Sequence, residues 1–112
     1  MSKTATAKIK SIKTILLNYK TLLQRDNFPV KKIILYGSYA KGNYKPYSDI
    51  DVCVISDKFS KKADYYETYL WKKALDVDSR IEPVGYHPEN FKNIDPLVNE
   101  IKKHGIEIKS SF

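Results

Sequence analysis

Residues 34–56, ILYGSYAKGNYKPYSDIDVCVIS, hold the stretch on which the fold turns. Its second half reads as a strand rich in Ile and Val that nonetheless carries two carboxylates, Asp49 and Asp51. Strand side chains alternate between faces, so Asp49 and Asp51 project to one side while Ile50, Val52 and Val54 project to the other. Two carboxylates at i and i+2 lie about 6–7 Å apart. At an effective dielectric near 20 they repel by about 2.5 kcal/mol. A divalent cation between them reverses the sign of that cost, and Mg2+ takes one or two protein carboxylates while waters and substrate phosphates complete its octahedron. Taken alone, such a pair more often marks two acids at a strand end that simply face water.

The residues just upstream change that balance. The apolar run KKIILYGS (31–38) is a second strand stopped by Gly37, and Ser38-Tyr39-Ala40 can open one or two helical turns. Backbone N–H groups at such a turn bind phosphate oxygens, Gly37 permits close approach and Ser38 adds a hydroxyl. Two other phosphate-binding patterns fail here. Gly37 and Gly42 have P-loop spacing, but Asn43-Tyr44 stands where Lys-Ser/Thr is required, and there is no Gly-x-Gly-x-x-Gly fingerprint.

Working outward, Ile9, Ile12, Leu16, Tyr19 and Leu23 recur at helical spacing and predict an amphipathic helix over 5–25. The sequence after the Asp-x-Asp strand predicts a helix over 60–75, with Ala63, Tyr66, Tyr69, Leu70 and Ala74 facing inward. A third strand follows over 79–87, where Pro83 argues for an edge or a non-hydrogen-bonded position. A last helix places Ile94, Leu97, Val98 and Ile101 on one face and ends at Gly105; the tail IEIKSSF is a candidate short strand. The order helix, strand, short helix, strand, helix, strand, helix describes an α/β sandwich with a small sheet. With helices packed on the Ile50, Val52 and Val54 face, Asp49 and Asp51 are expected on the opposite, more open face.

The 112 residues suffice for one domain, 1–112, with a single modest core. A net charge of +7, from 20 Lys and Arg against 13 Asp and Glu, favours anionic partners, but the charge is spread along the chain and serves equally as a solvated surface. The lone Cys53 excludes an internal disulfide and reads as a small buried hydrophobe. No leader-like or membrane-spanning run is evident, and a cytoplasmic protein is expected. His87 and His104 lack partners at zinc-ligand spacing.

Gly37-Ser38, ten intervening residues and then Asp49-Ile50-Asp51 form the signature of a known superfamily. Gly37, Ser38, Ala40, Gly42, Ser48, Asp49 and Asp51 match its fuller pattern, Gly-Ser-x-Ala-x-Gly followed by Ser-Asp-x-Asp. The chain thus resembles the nucleotidyltransferases that include polymerase beta and kanamycin nucleotidyltransferase, in particular the minimal ones that lack an added substrate domain. The resemblance implies a small mixed sheet with helices mainly on one face. It implies that Asp49, Asp51 and a third carboxylate on a neighbouring strand ligate Mg2+, with two ions expected and Mn2+ as a substitute. Glu82 stands in the expected place for that third acid, although a Glu in an apolar strand also escapes to solvent at an edge. Asp76 and Asp78 read as turn formers. Gly37, Ser38, Lys41 and Ser48 would contact the nucleotide. Lys45, Tyr44 and Tyr47 are weaker candidates from the same loop.

The reaction implied is transfer of a nucleoside monophosphate from ATP or another NTP to a hydroxyl. Minimal members of this kind are often antitoxins that adenylylate a tyrosine of a HEPN-type toxin, so a HEPN-type protein partner is expected, with nucleic acid not a direct substrate and a homo-oligomer left open. A small-molecule transferase acting with a partner subunit and a non-catalytic antitoxin are the competing readings.

Overall fold

A computed structural model describes residues 3–60 and 63–109. The chain runs through helix α1 (Lys3–Arg25), strand β1 (Lys32–Tyr36), the short helix α2 (Ser38–Lys41), strand β2 (Ile50–Ile55), helix α3 (Ala63–Leu75), strand β3 (Ile81–Tyr86), helix α4 (Pro96–His104) and a short strand β4 (Ile106–Glu107). The four strands form one mixed sheet in the order β3-β2-β1-β4. β1 is antiparallel to both β2 and β4, and β2 is parallel to β3. The expected tail strand is β4; residues 110–112 and 61–62, which the tail and third-helix predictions included, lie outside the described residues.

Helix α1 buries Ile12, Leu16, Tyr19 and Leu23 at the predicted spacing. The chain leaves it through Asn27, at φ 61°, with the Asn27 N–H donating to the Gln24 carbonyl at 3.0 Å and the Phe28 N–H to the Leu23 carbonyl at 2.9 Å, so two orphan carbonyls of the last turn gain donors and Phe28 is delivered into the core. The Tyr19 hydroxyl donates to the Leu70 carbonyl at 2.8 Å and ties α1 to α3. These helices cover the sheet face formed by Ile33, Leu35, Ile50, Val52 and Val54.

Two predicted inward residues point to water instead. Ala63 is exposed because it lies at the start of α3, ahead of the turn that packs. Ile94 is 92 % exposed because α4 begins only at Pro96, where the Asp95 carboxylate accepts the Leu97 N–H at 2.9 Å and caps it. The second sheet face is also less open than expected. Ile101 and Leu97 of α4 pack with Ile34, Tyr36, Cys53 and Ile55, so the fourth helix covers much of the face that carries Asp51.

Pro83 lies on the edge strand β3, as its missing N–H requires. That edge is well protected: the Ile81 N–H donates to the Asp78 carbonyl at 3.2 Å and the Gly85 N–H to the Glu67 carboxylate at 2.6 Å. Among the described residues no helix is long and apolar enough to cross a membrane.

Candidate active site

The site forms where β1 turns into α2. Gly37 has φ 74° and ψ −150°, a conformation essentially reserved for glycine. A Cβ built there would overlap Oδ2 of Asp51. Gly37 is therefore needed twice, for the backbone angle and because the Asp51 carboxylate occupies the space of its missing side chain. One turn on, the Lys41 N–H donates to the Gly37 carbonyl at 3.0 Å, and α2 ends at Gly42 in the left-handed region.

The loop to β2 is shaped by its own residues. The Lys45 N–H donates to the Ser48 hydroxyl at 2.7 Å and the Ser48 N–H to the Lys45 carbonyl at 3.1 Å, so Ser48 closes the turn that delivers Asp49. Tyr44 stacks on the buried Tyr39 ring at 4.7 Å, which fastens the loop to α2, whereas Tyr47 stands 82 % exposed. Asp49 precedes the first residue of β2 and is exposed; Asp51 lies within the strand and is half-buried.

Sheet register then assembles a row. Tyr36 of β1 is the cross-strand partner of Asp51, and Asp51 is that of Glu82 on β3, so all three share one face. Burial raises the Asp51 carboxyl above the usual carboxylate range and the charge of Asp49 raises it further, against an opposing hydrogen bond with Glu82. Glu82 is raised by burial, then by the charge of Asp49 and by hydrogen bonding within the acid group. Burial, with Asp51 next, likewise holds the Tyr36 hydroxyl protonated. Two residues along the same face, burial pushes the Cys53 thiol up to about 12, consistent with a packing role.

Among the described residues no three His, Cys, Asp or Glu side chains close around an ion by themselves. The donor set is open, and it consists of hard carboxylate oxygens held against one another's repulsion, with a bare glycine beside Asp51. That chemistry fits a hydrated divalent ion that draws its remaining ligands from phosphate. Asp78 takes no part, because its carboxylate accepts bidentate from the Arg80 guanidinium at 2.9 and 3.1 Å within the turn before β3. Lys41 reaches across to α4 and pairs with Glu100. Tyr36 and Glu100 escaped sequence reasoning. Tyr36 was detectable as the last strand residue before Gly37, but Glu100 carries no local signal.

A Gly-Ser turn facing a strand-borne Asp-x-Asp across a small mixed sheet defines the nucleotidyltransferase class. The nucleotidyltransferase domain family matches residues 16–108, and this chain belongs to that family. It is 44 % identical over 92 residues to "Putative protein adenylyltransferase MJ1379" of Methanocaldococcus jannaschii, covering 78 % of this chain and 91 % of the relative. Its fold matches a Sulfolobus solfataricus crystal structure with a TM-score of 0.67 at 12 % identity, over 99 % of this chain and 91 % of the other. It also matches a chain of the toxin-antitoxin pair MntA-HpeT with a TM-score of 0.54 at 25 % identity, over 81 % of this chain and 69 % of the other. The protein is a nucleotidyltransferase.

Proposed function

We propose that this enzyme moves a nucleoside monophosphate from ATP onto a tyrosine hydroxyl of a HEPN-type toxin and so acts as its antitoxin. The observation that carries the reading of the site is the in-register pair Asp51 and Glu82, with Gly37 bare of side chain against the Asp51 carboxylate. The acceptor class is supported by the relatives, one named for protein adenylylation and one assembled as a toxin-antitoxin pair.

In this reading the Gly37-Ser38 backbone and the Ser38 hydroxyl hold the terminal phosphates, with Lys41 and Ser48 flanking them. Asp49, Asp51 and Glu82 would hold Mg2+, which supplies the positive charge that offsets the acids and the triphosphate. Glu82, in register with Asp51, takes the proton of the acceptor hydroxyl. That oxygen attacks the α-phosphorus in line as the bond to pyrophosphate breaks, and positioning and electrostatics supply the catalysis.

Mass spectrometry of the partner tests this. With ATP and Mg2+ present, a mass increase of one AMP on a partner tyrosine is expected, and none with the Asp51→Asn enzyme. A partner restrained equally well without nucleotide by a protein lacking both Asp49 and Asp51 would overturn the catalytic antitoxin.

A further inference from the structure

Lys41 closes α2, one turn beyond Gly37, and its ammonium pairs with the Glu100 carboxylate of α4. Both side chains are partly exposed, at 40 % and 35 %, and an ion pair in that setting adds little to folding stability. Its position matters more than its strength. α4 packs on the sheet face that carries Asp51, so Glu100 is a fourth carboxylate on the side where Asp49, Asp51 and Glu82 already stand. The hydrogen bond from Lys41, and then its charge, hold the Glu100 carboxyl below its usual range, with His104 and Lys103 as lesser contributors. Buried Val98 and Ile101 fix the rotation of α4, so Glu100 cannot turn away from α2 without unpacking the helix.

Four residues of helix separate the Lys41 backbone from Gly37 by about 6 Å. A lysine ammonium on its flexible four-carbon stem covers such a distance. We infer that Glu100 sets the affinity of this enzyme for its nucleotide by competing with the terminal phosphates for Lys41. Without nucleotide the ammonium rests on Glu100; with it, the ammonium transfers to the phosphates and Glu100 is left to solvent and to Lys103 and His104. The inference rests on the reading that the triphosphate lies at the Gly37 turn.

A double-mutant cycle tests it, with the Kd of ATP measured calorimetrically in Mg2+ for the wild type, Glu100→Gln, Lys41→Met and the double variant. Glu100→Gln is expected to tighten binding about three-fold, the scale of a partly exposed ion pair. In the Lys41→Met background the same change should leave Kd unaltered. The KM for ATP should follow Kd, and melting temperatures should stay close to that of the wild type. An equal effect of Glu100→Gln in both backgrounds would reduce Glu100 to a remote repulsive charge and overturn the inference, as would no effect or weaker binding when Glu100→Gln is made in the otherwise wild-type protein. Asp51→Asn separates this from the reading beneath it. If that variant loses Mg2+-dependent binding while positions 41 and 100 stay uncoupled, only the role of Glu100 falls; if the wild type binds no ATP, both fall.

Discussion

On one face of β2, Ile50, Val52 and Val54 are fully buried against α1 and α3, whereas on the other Asp51 stands half-buried two residues before Cys53 and Ile55 disappear beneath α4. The first face is uniform and the second is graded, polar where β1 turns at Gly37 and apolar where the fourth helix lies. The apolar face supplies the stability against which the repulsion among Asp49, Asp51 and Glu82 is held. Substitutions on the two faces should therefore fail in different ways.

The largest expected effect is on the graded face. Asp51→Asn should slow transfer about a thousand-fold, ~4 kcal/mol of lost transition-state stabilisation. The melting temperature without metal should be unchanged or higher, because a carboxylate in a repulsive group has been neutralised. Single-turnover assays beside thermal melts would read both, and a large drop in stability would erase the contrast between the faces.

Ile50→Ala tests the other face. It should cost about 3 kcal/mol in urea denaturation through lost burial and a residual cavity. Although Ile50 adjoins both aspartates in sequence, its side chain lies on the opposite face, so any protein that remains folded should still bind ATP. Gly37→Ala spans the two behaviours: a Cβ forced into the left-handed region should cost about 2 kcal/mol, and by displacing the Asp51 carboxylate it should also abolish transfer. A stable, active Gly37→Ala protein would show that the close approach is dispensable.

The smallest effect is a pH dependence. Asp51 and Glu82 have folded-state pKa values raised above the unfolded ones, chiefly by burial and by Asp49. In metal-free protein the folded state therefore binds more protons than the unfolded state, and stability falls as pH rises from the ordinary carboxylate range through the raised values. The stability advantage of Asp51→Asn should be full at neutral pH and shrink as pH falls to about 4. Adding Mg2+ at neutral pH should stabilise the wild type more than the variant. An advantage independent of pH and metal would indicate that the acids do not repel one another.

Local pattern made the first face legible, because alternation in β2 and helical spacing in α1 each name a buried side directly. The Gly37 turn and the Asp49 and Asp51 pair were legible for a similar reason, being close in sequence and bound to a fixed geometry. Glu82 was placed by alternation within β3, yet only the parallel register with β2 sets it beside Asp51. The cover on the graded face was not legible, since Leu97 and Ile101 show that α4 buries a stripe without revealing which sheet face receives it. Ile94 looked like part of that stripe until the Asp95 cap moved the helix start beyond it.

By itself, then, the sequence determined what is local: the element order, the glycine that the β1–α2 turn demands and the two aspartates at the entry to β2. Tertiary structure alone decided the row Tyr36, Asp51 and Glu82, the covering of Cys53 and Ile55 by α4, and the meeting of Lys41 with Glu100. The physical reason is range. Backbone conformation and side-chain alternation follow from neighbours a few residues apart, whereas register and helix placement are fixed by the packing of distant segments, which no single stretch of sequence contains.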